Sequence, residues 1–87
     1  MLNFLVGEER IIRVHIKSKK KQVIVITDAF YSITDRNGKL ISDGTLNING
    51  CDMTLLYQPE KSGVFTFEVT YTIPPETLKA RCDLNVT

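Results

Sequence analysis

Few side chains in this chain could do chemistry: a single histidine, His15; two cysteines, Cys51 and Cys82; ammonium groups at Lys17, Lys19, Lys20 and Lys21; and the turn Asp35-Arg36-Asn37-Gly38. A metal site or a general base built on His15 needs partner groups. The sequence supplies no second histidine and no closely spaced cysteine pair, so His15 is expected to be an exposed residue of an edge strand. For the same reason neither cysteine has an evident base to activate it as a nucleophile. Asp35 and Asn37 place oxygen donors two apart ahead of Gly38, as a calcium loop does. Lys39 then takes the next ligand slot and Ile41 the one after, which leaves a hairpin turn as the expected structure. No catalytic, cofactor-binding or metal-binding residue is expected.

The lysines point instead to a contact surface. Four ammonium groups within one loop focus positive potential on an acidic partner or a phosphate; the alternative is a solvated turn whose lysines discourage edge-to-edge aggregation. Single-strand nucleic-acid binders interleave such cations with stacking aromatics, and no Phe, Tyr or Trp flanks these lysines, so no specific nucleic-acid contact is expected. Tyr31, Tyr57 and Tyr71 could form a platform for glycan or protein, but each shares its phase with core residues. Core packing with the hydroxyl at the rim is the default. The candidate partner-binding residues are therefore Arg13, His15, Lys17, Lys19, Lys20 and Lys21, on the polar phase of the first full strand and the loop after it. On that reading a proline at Val14 would abolish the contact, at the risk of unfolding the domain.

Composition narrows the classes further. With 87 residues the chain makes one domain that buries about 60 to 65% of its extended-chain surface, enough for a core but hardly for a deep pocket as well. Eleven basic and ten acidic residues leave a net charge of +1 and no global field. Met1 to Val6 lacks a basic leader and meets Glu8-Glu9-Arg10 before a signal core accumulates, and no run is long enough to span a membrane. A protein made in the cytoplasm without a signal peptide follows, and in that compartment Cys51 and Cys82 are expected as free thiols.

The elements that must position these residues are strands. Ile12, Val14 and Ile16 alternate with Arg13, His15 and Lys17, the period of a strand with one wet face. Val23-Ile24-Val25-Ile26 is apolar on both phases, as in a strand near the centre of a sheet, which makes the lysine loop the tip of a first hairpin. Ala29, Tyr31 and Ile33 alternate into the turn at Asn37-Gly38; Asp43-Gly44 and Asn49-Gly50 read as two further turns. Phe65, Phe67, Val69, Tyr71 and Ile73 occupy one face of a long strand, Pro74-Pro75 forces a turn, and Leu78, Ala80, Cys82, Leu84 and Val86 form the apolar phase of the last. Residues 1–10 make an N-terminal strand or arm. The expected fold is all-β, an antiparallel sandwich of seven or eight strands in a single domain over 1–87. Its inward residues are expected to include Val14, Ile16, Val25, Ile33, Leu46, Ile48, Leu55, Phe65, Phe67, Val69, Leu84 and Val86.

Lys61-Ser62-Gly63-Val64-Phe65-Thr66-Phe67 resembles the Asp-Ser-Gly-x-Tyr-x-Cys approach to the sixth strand of immunoglobulin domains, with Phe65 replacing the tyrosine and Phe67 the cysteine. Asp35, Gly38, Gly44, Pro59, Gly63, Phe65 and Phe67 together are similar to the pattern of bacterial and bacteriophage immunoglobulin-like (Ig-like) modules that dispense with the disulfide. The resemblance implies a Greek-key sandwich. It also implies a non-enzymatic structural or protein-interaction module, a phage or prophage virion component such as a capsid decoration, head-tail, tail or baseplate part. The alternative is a glycan- or nucleic-acid-binding module that uses the lysine loop or exposed tyrosines. Neither partner identity nor oligomeric state follows from the residues.

Overall fold

The computed structural model describes residues 1–17 and 24–87. Among them are eight strands and no helix: β1 (Leu2–Phe4), β2 (Arg10–His15), β3 (Asp28–Thr34), β4 (Leu40–Thr45), β5 (Asn47–Asn49), β6 (Asp52–Tyr57), β7 (Gly63–Ile73) and β8 (Glu76–Val86). They form a five-stranded sheet in the order β1-β8-β7-β3-β4 and a three-stranded sheet in the order β2-β6-β5. The period-two pattern explains why the two enclose a core. Ile33, Phe67, Val69, Leu84 and Val86 come from the inner face of the larger sheet and Ile12 and Met53 from that of the smaller, and all are almost completely excluded from solvent. Removing this apolar surface from water is what holds the sheets together.

The spine of the domain is the β7–β8 hairpin, paired without a break from Gly63↔Val86 to Ile73↔Glu76. Its apolar phases meet in register: Phe65 faces Leu84, Phe67 faces Cys82, Val69 faces Ala80 and Tyr71 faces Leu78. Cys51 and Cys82 are free thiols. At the β3–β4 turn the carboxylate of Asp35 accepts hydrogen bonds from the Asn37 and Lys39 amides, both at 2.9 Å, and Gly38 takes a positive φ of 80°. That is the hairpin expected of Asn-Gly rather than a cation loop. Gly50, with φ of 62°, serves the same purpose between β5 and β6.

Three expectations give way. The sandwich is not wholly antiparallel, because β1 runs parallel to β8, with Leu2↔Leu84 through Phe4↔Val86 in register. Ile24 to Thr27 form no strand, and Val25 is exposed. The chain passes from β2 in one sheet to β3 in the other, and among the described residues Ile24 to Thr27 join no ladder with β2; Val23 and the lysine loop lie outside the described residues. Asp43-Gly44 is not a turn but lies inside β4, opposite Ser32 and Tyr31. Gly44 is there for close approach: a Cβ at this position would stand 3.2 Å from Cε1 of Tyr31, whose ring stacks on Phe67 and whose hydroxyl is 3.2 Å from the Ser42 hydroxyl. Ile48 shares the inner face with its register partner Met53, as expected, but on edge strand β5 it stays 38% exposed.

Tyr31, Tyr57 and Tyr71 are all half-buried and packed on the core, Tyr57 edge-on to Phe4 at a centroid distance of 6.0 Å. Burial raises the Tyr57 hydroxyl above the ordinary tyrosine value.

Candidate functional site

Strand β2 is an edge. It pairs with β6 on one side, from Arg10↔Tyr57 to His15↔Asp52, and among the described residues with no strand on the other. Just past its end the Ile16 amide donates to the Cys51 carbonyl at 2.9 Å. Antiparallel ladders alternate, so Arg10, Ile12 and Val14 direct their backbone groups into the β6 ladder with Ile16. The N–H and C=O groups of Ile11, Arg13 and His15 therefore face the open side. Their side chains also stand on the outer face of the sheet, where Ile11, Arg13 and His15 are exposed, as is Lys17 beyond the strand end.

The electrostatics along this edge are uneven. His15 Nδ1 lies 2.7 Å from Oδ1 of its register partner Asp52, so that position is locally compensated. Arg10 is engaged as well: its Nε is 3.1 Å from Glu8, its guanidinium donates to the Asn3 carbonyl, and its Cζ sits 4.2 Å from the centre of the Phe4 ring. Among the described residues, Arg13 and Lys17 take part in no ion pair. Lys19, Lys20 and Lys21 lie outside the described residues. Of the six side chains predicted for the contact, the structure thus brings Arg13, His15 and Lys17 onto one edge.

Two features escape a reading of the chain alone. Ile11 and Leu56 are register partners and both about 60% exposed, 62% and 59%, so an apolar pair sits directly beside Arg13 on the outer face of the small sheet. The signal was present in Leu56, an apolar residue on the opposite phase from Met53, Leu55 and Tyr57. The second feature is a slot of about 330 Å³ between β2 and β8. Ile12 and Val14 form one wall, Ala80 and Cys82 the other, and Phe67 and Val69 the floor. The slot exists because β1 covers β8 only at Leu84 to Val86, leaving the earlier part of β8 without a neighbouring strand on that side among the described residues. A second depression, about 400 Å³, lies between Lys39 to Ser42 and the Tyr57 to Lys61 segment, with Phe65 at its base.

On the outer face beside the slot, Glu68 accepts from Arg81 Nε at 2.5 Å and lies 3.6 Å from Lys79 Nζ. The Arg81 hydrogen bond, with the charges of Arg81 and Lys79 adding to it, holds the Glu68 carboxyl below the ordinary glutamate value. A carboxyl lowered in the folded state contributes stability that is present above its unfolded pKa and is lost as pH falls through the folded value. Glu68→Gln should therefore leave the melting temperature at neutral pH nearly unchanged and make its decline on acidification slightly shallower, as followed by circular dichroism. The exposure of Arg81 and Lys79 keeps the effect small.

Compared with known proteins, the chain matches no family model, no curated protein and no solved structure.

Proposed function

We propose that this domain is a non-enzymatic structural or protein-interaction module of Ig-like type, which docks through the β2 edge on a larger protein assembly. The observation that carries the reading is the coincidence on one strand and just past its end of outward backbone groups at Ile11, Arg13 and His15, cations at Arg13 and Lys17 that form no ion pair with a described residue, and the exposed Ile11–Leu56 pair. Unpaired strand edges invite pairing, and cations beside an apolar pair give such a contact both specificity and area.

Strand order supports the Ig-like assignment. The succession β8-β7-β3 beside a separate β2-β6-β5 sheet follows the G-F-C and B-E-D succession of immunoglobulin sandwiches, with β4 in the added position next to C. The virion context rests on the general resemblance of the chain to small Ig-like proteins of phages and prophages, with no single residue behind it. In this reading the protein is made in the cytoplasm and joins the particle during assembly.

The test is a tagged copy expressed in the native host, followed on a density gradient after induction of phage particles. Co-sedimentation with particles is expected, and the double variant Arg13→Glu, Lys17→Glu should shift the protein to the top of the gradient with its melting temperature kept. A wild-type protein that never enters the particle fraction would overturn the virion assignment; a double variant that sediments like wild type would overturn the β2 edge.

A further inference from the structure

We propose that the β2 edge takes its partner as an added β-strand, an extended segment in which acidic and apolar residues alternate, with the apolar ones filling the slot between β2 and β8. The proposal rests on the reading of β2 as the docking edge and specifies the chemistry of what docks.

Three observations fix that chemistry. A strand laid beside β2 would meet the outward N–H and C=O groups of Ile11, Arg13 and His15, which accounts for its main-chain hydrogen bonds. Its side chains would then point alternately to the two faces of the sheet. Those turned inward would enter the slot against Ile12, Val14, Ala80 and Cys82, over Phe67 and Val69, apolar residues that reward valine-like groups, while Arg13, His15 and Arg81 also line it with cationic and polar groups that disfavour a basic side chain. Those turned outward would stand beside Arg13 and approach Lys17, cations that no described side chain neutralises, whereas His15 already has Asp52. Opposite charges directly across a strand pair stabilise it, so the outward positions call for Asp or Glu. A lysine-bearing strand would meet like charge.

The probe is a short capped peptide of alternating valine and glutamate, with a valine–lysine peptide of the same length as its control. Binding of the glutamate peptide should slow amide hydrogen exchange at Arg13 and His15 by about tenfold at saturation, as local opening of the edge is suppressed. The lysine peptide should leave both amides unchanged. Arg13→Ala keeps the edge N–H and should weaken binding a few-fold, while Arg13→Pro removes the N–H as well and should abolish it. Methylating the peptide's own amides on the bond-forming side should also abolish binding, without any change to the protein. Equal binding of both peptides, absence of protection at Arg13 and His15, or full binding of the methylated peptide would each overturn strand addition. If particle co-sedimentation still depends on Arg13 and Lys17 in that event, docking through β2 stands and only its mode falls. Peptide binding without co-sedimentation would sink the virion reading alone.

Discussion

Phe67→Ala should destabilise the domain by about 3 to 5 kcal/mol, the usual cost of truncating a buried phenylalanine, and so remove much or all of the stability of a chain this size. Phe67 is 2% exposed, sits in register between Ile33 of β3 and Cys82 of β8, and stacks on Tyr31 at a centroid distance of 6.0 Å. Neighbours so placed on the two flanking strands cannot collapse into the vacated volume without breaking a ladder. The loss should approach the full transfer-plus-cavity cost. Urea denaturation followed by circular dichroism would show it as a lower midpoint, while Phe67→Leu, which keeps most of the volume, should cost under about 1.5 kcal/mol. An unchanged midpoint in the alanine variant would place Phe67 on the outside of the sheet and invert the phase of β7. Because Phe67 also floors the slot beside β2, the leucine variant is the one suited to binding measurements.

The parts of this fold that could be read from the chain are those where a local rule and a long-range one agree. From Phe65 to Ile73 and from Leu78 to Val86 the period of two states which face is buried, and Pro74-Pro75 between them states that the strands turn back on each other; both facts are local. The inward phase of β7 and the turns at Asn37-Gly38 and Asn49-Gly50 follow in the same way, whereas Leu56, apolar on the phase opposite Met53, Leu55 and Tyr57, leaves the inward face of β6 undecided in the sequence. Ile24 to Ile26 could not be read so, because an apolar run records a tendency to be buried and not a partner to pair with. Ile26 is buried and Val25 is not, with no ladder at either. The parallel contact of β1 with β8 joins the two ends of the chain and leaves no local trace. Gly44 has the composition of a turn but answers to the Tyr31 ring across the strand pair. The candidate site divides along the same line. The polar phase of β2 shows in Arg13, His15 and Lys17, whereas the slot walls come from Ala80 and Cys82, some 65 residues further on, and depend on how much of β8 the short β1 covers. Its width is a property of the topology.

Proline substitution along β2 should separate two adjacent positions sharply. At Val14 the N–H belongs to the ladder with Met53, which is fully buried, and the side chain packs on the core. Val14→Pro removes that donor, leaves a carbonyl in the small sheet without its partner and imposes a φ that the strand does not use; a loss of at least about 3 kcal/mol is expected. At Arg13 the N–H faces the open side, so a proline there breaks no ladder bond, and edge positions of this kind are where sheets accept proline. Arg13→Pro should keep a cooperative melting transition within a few degrees of wild type, while Val14→Pro should show a strongly lowered transition or none. Equal damage from the two would mean that the backbone alternation along β2 is the reverse of the one described. The outward hydrogen-bonding groups would then belong to Ile12 and Val14, whose side chains line the core, and the open edge would no longer carry Arg13 and His15. The contrast therefore tests fold and site with one pair of variants, and it needs no knowledge of the partner.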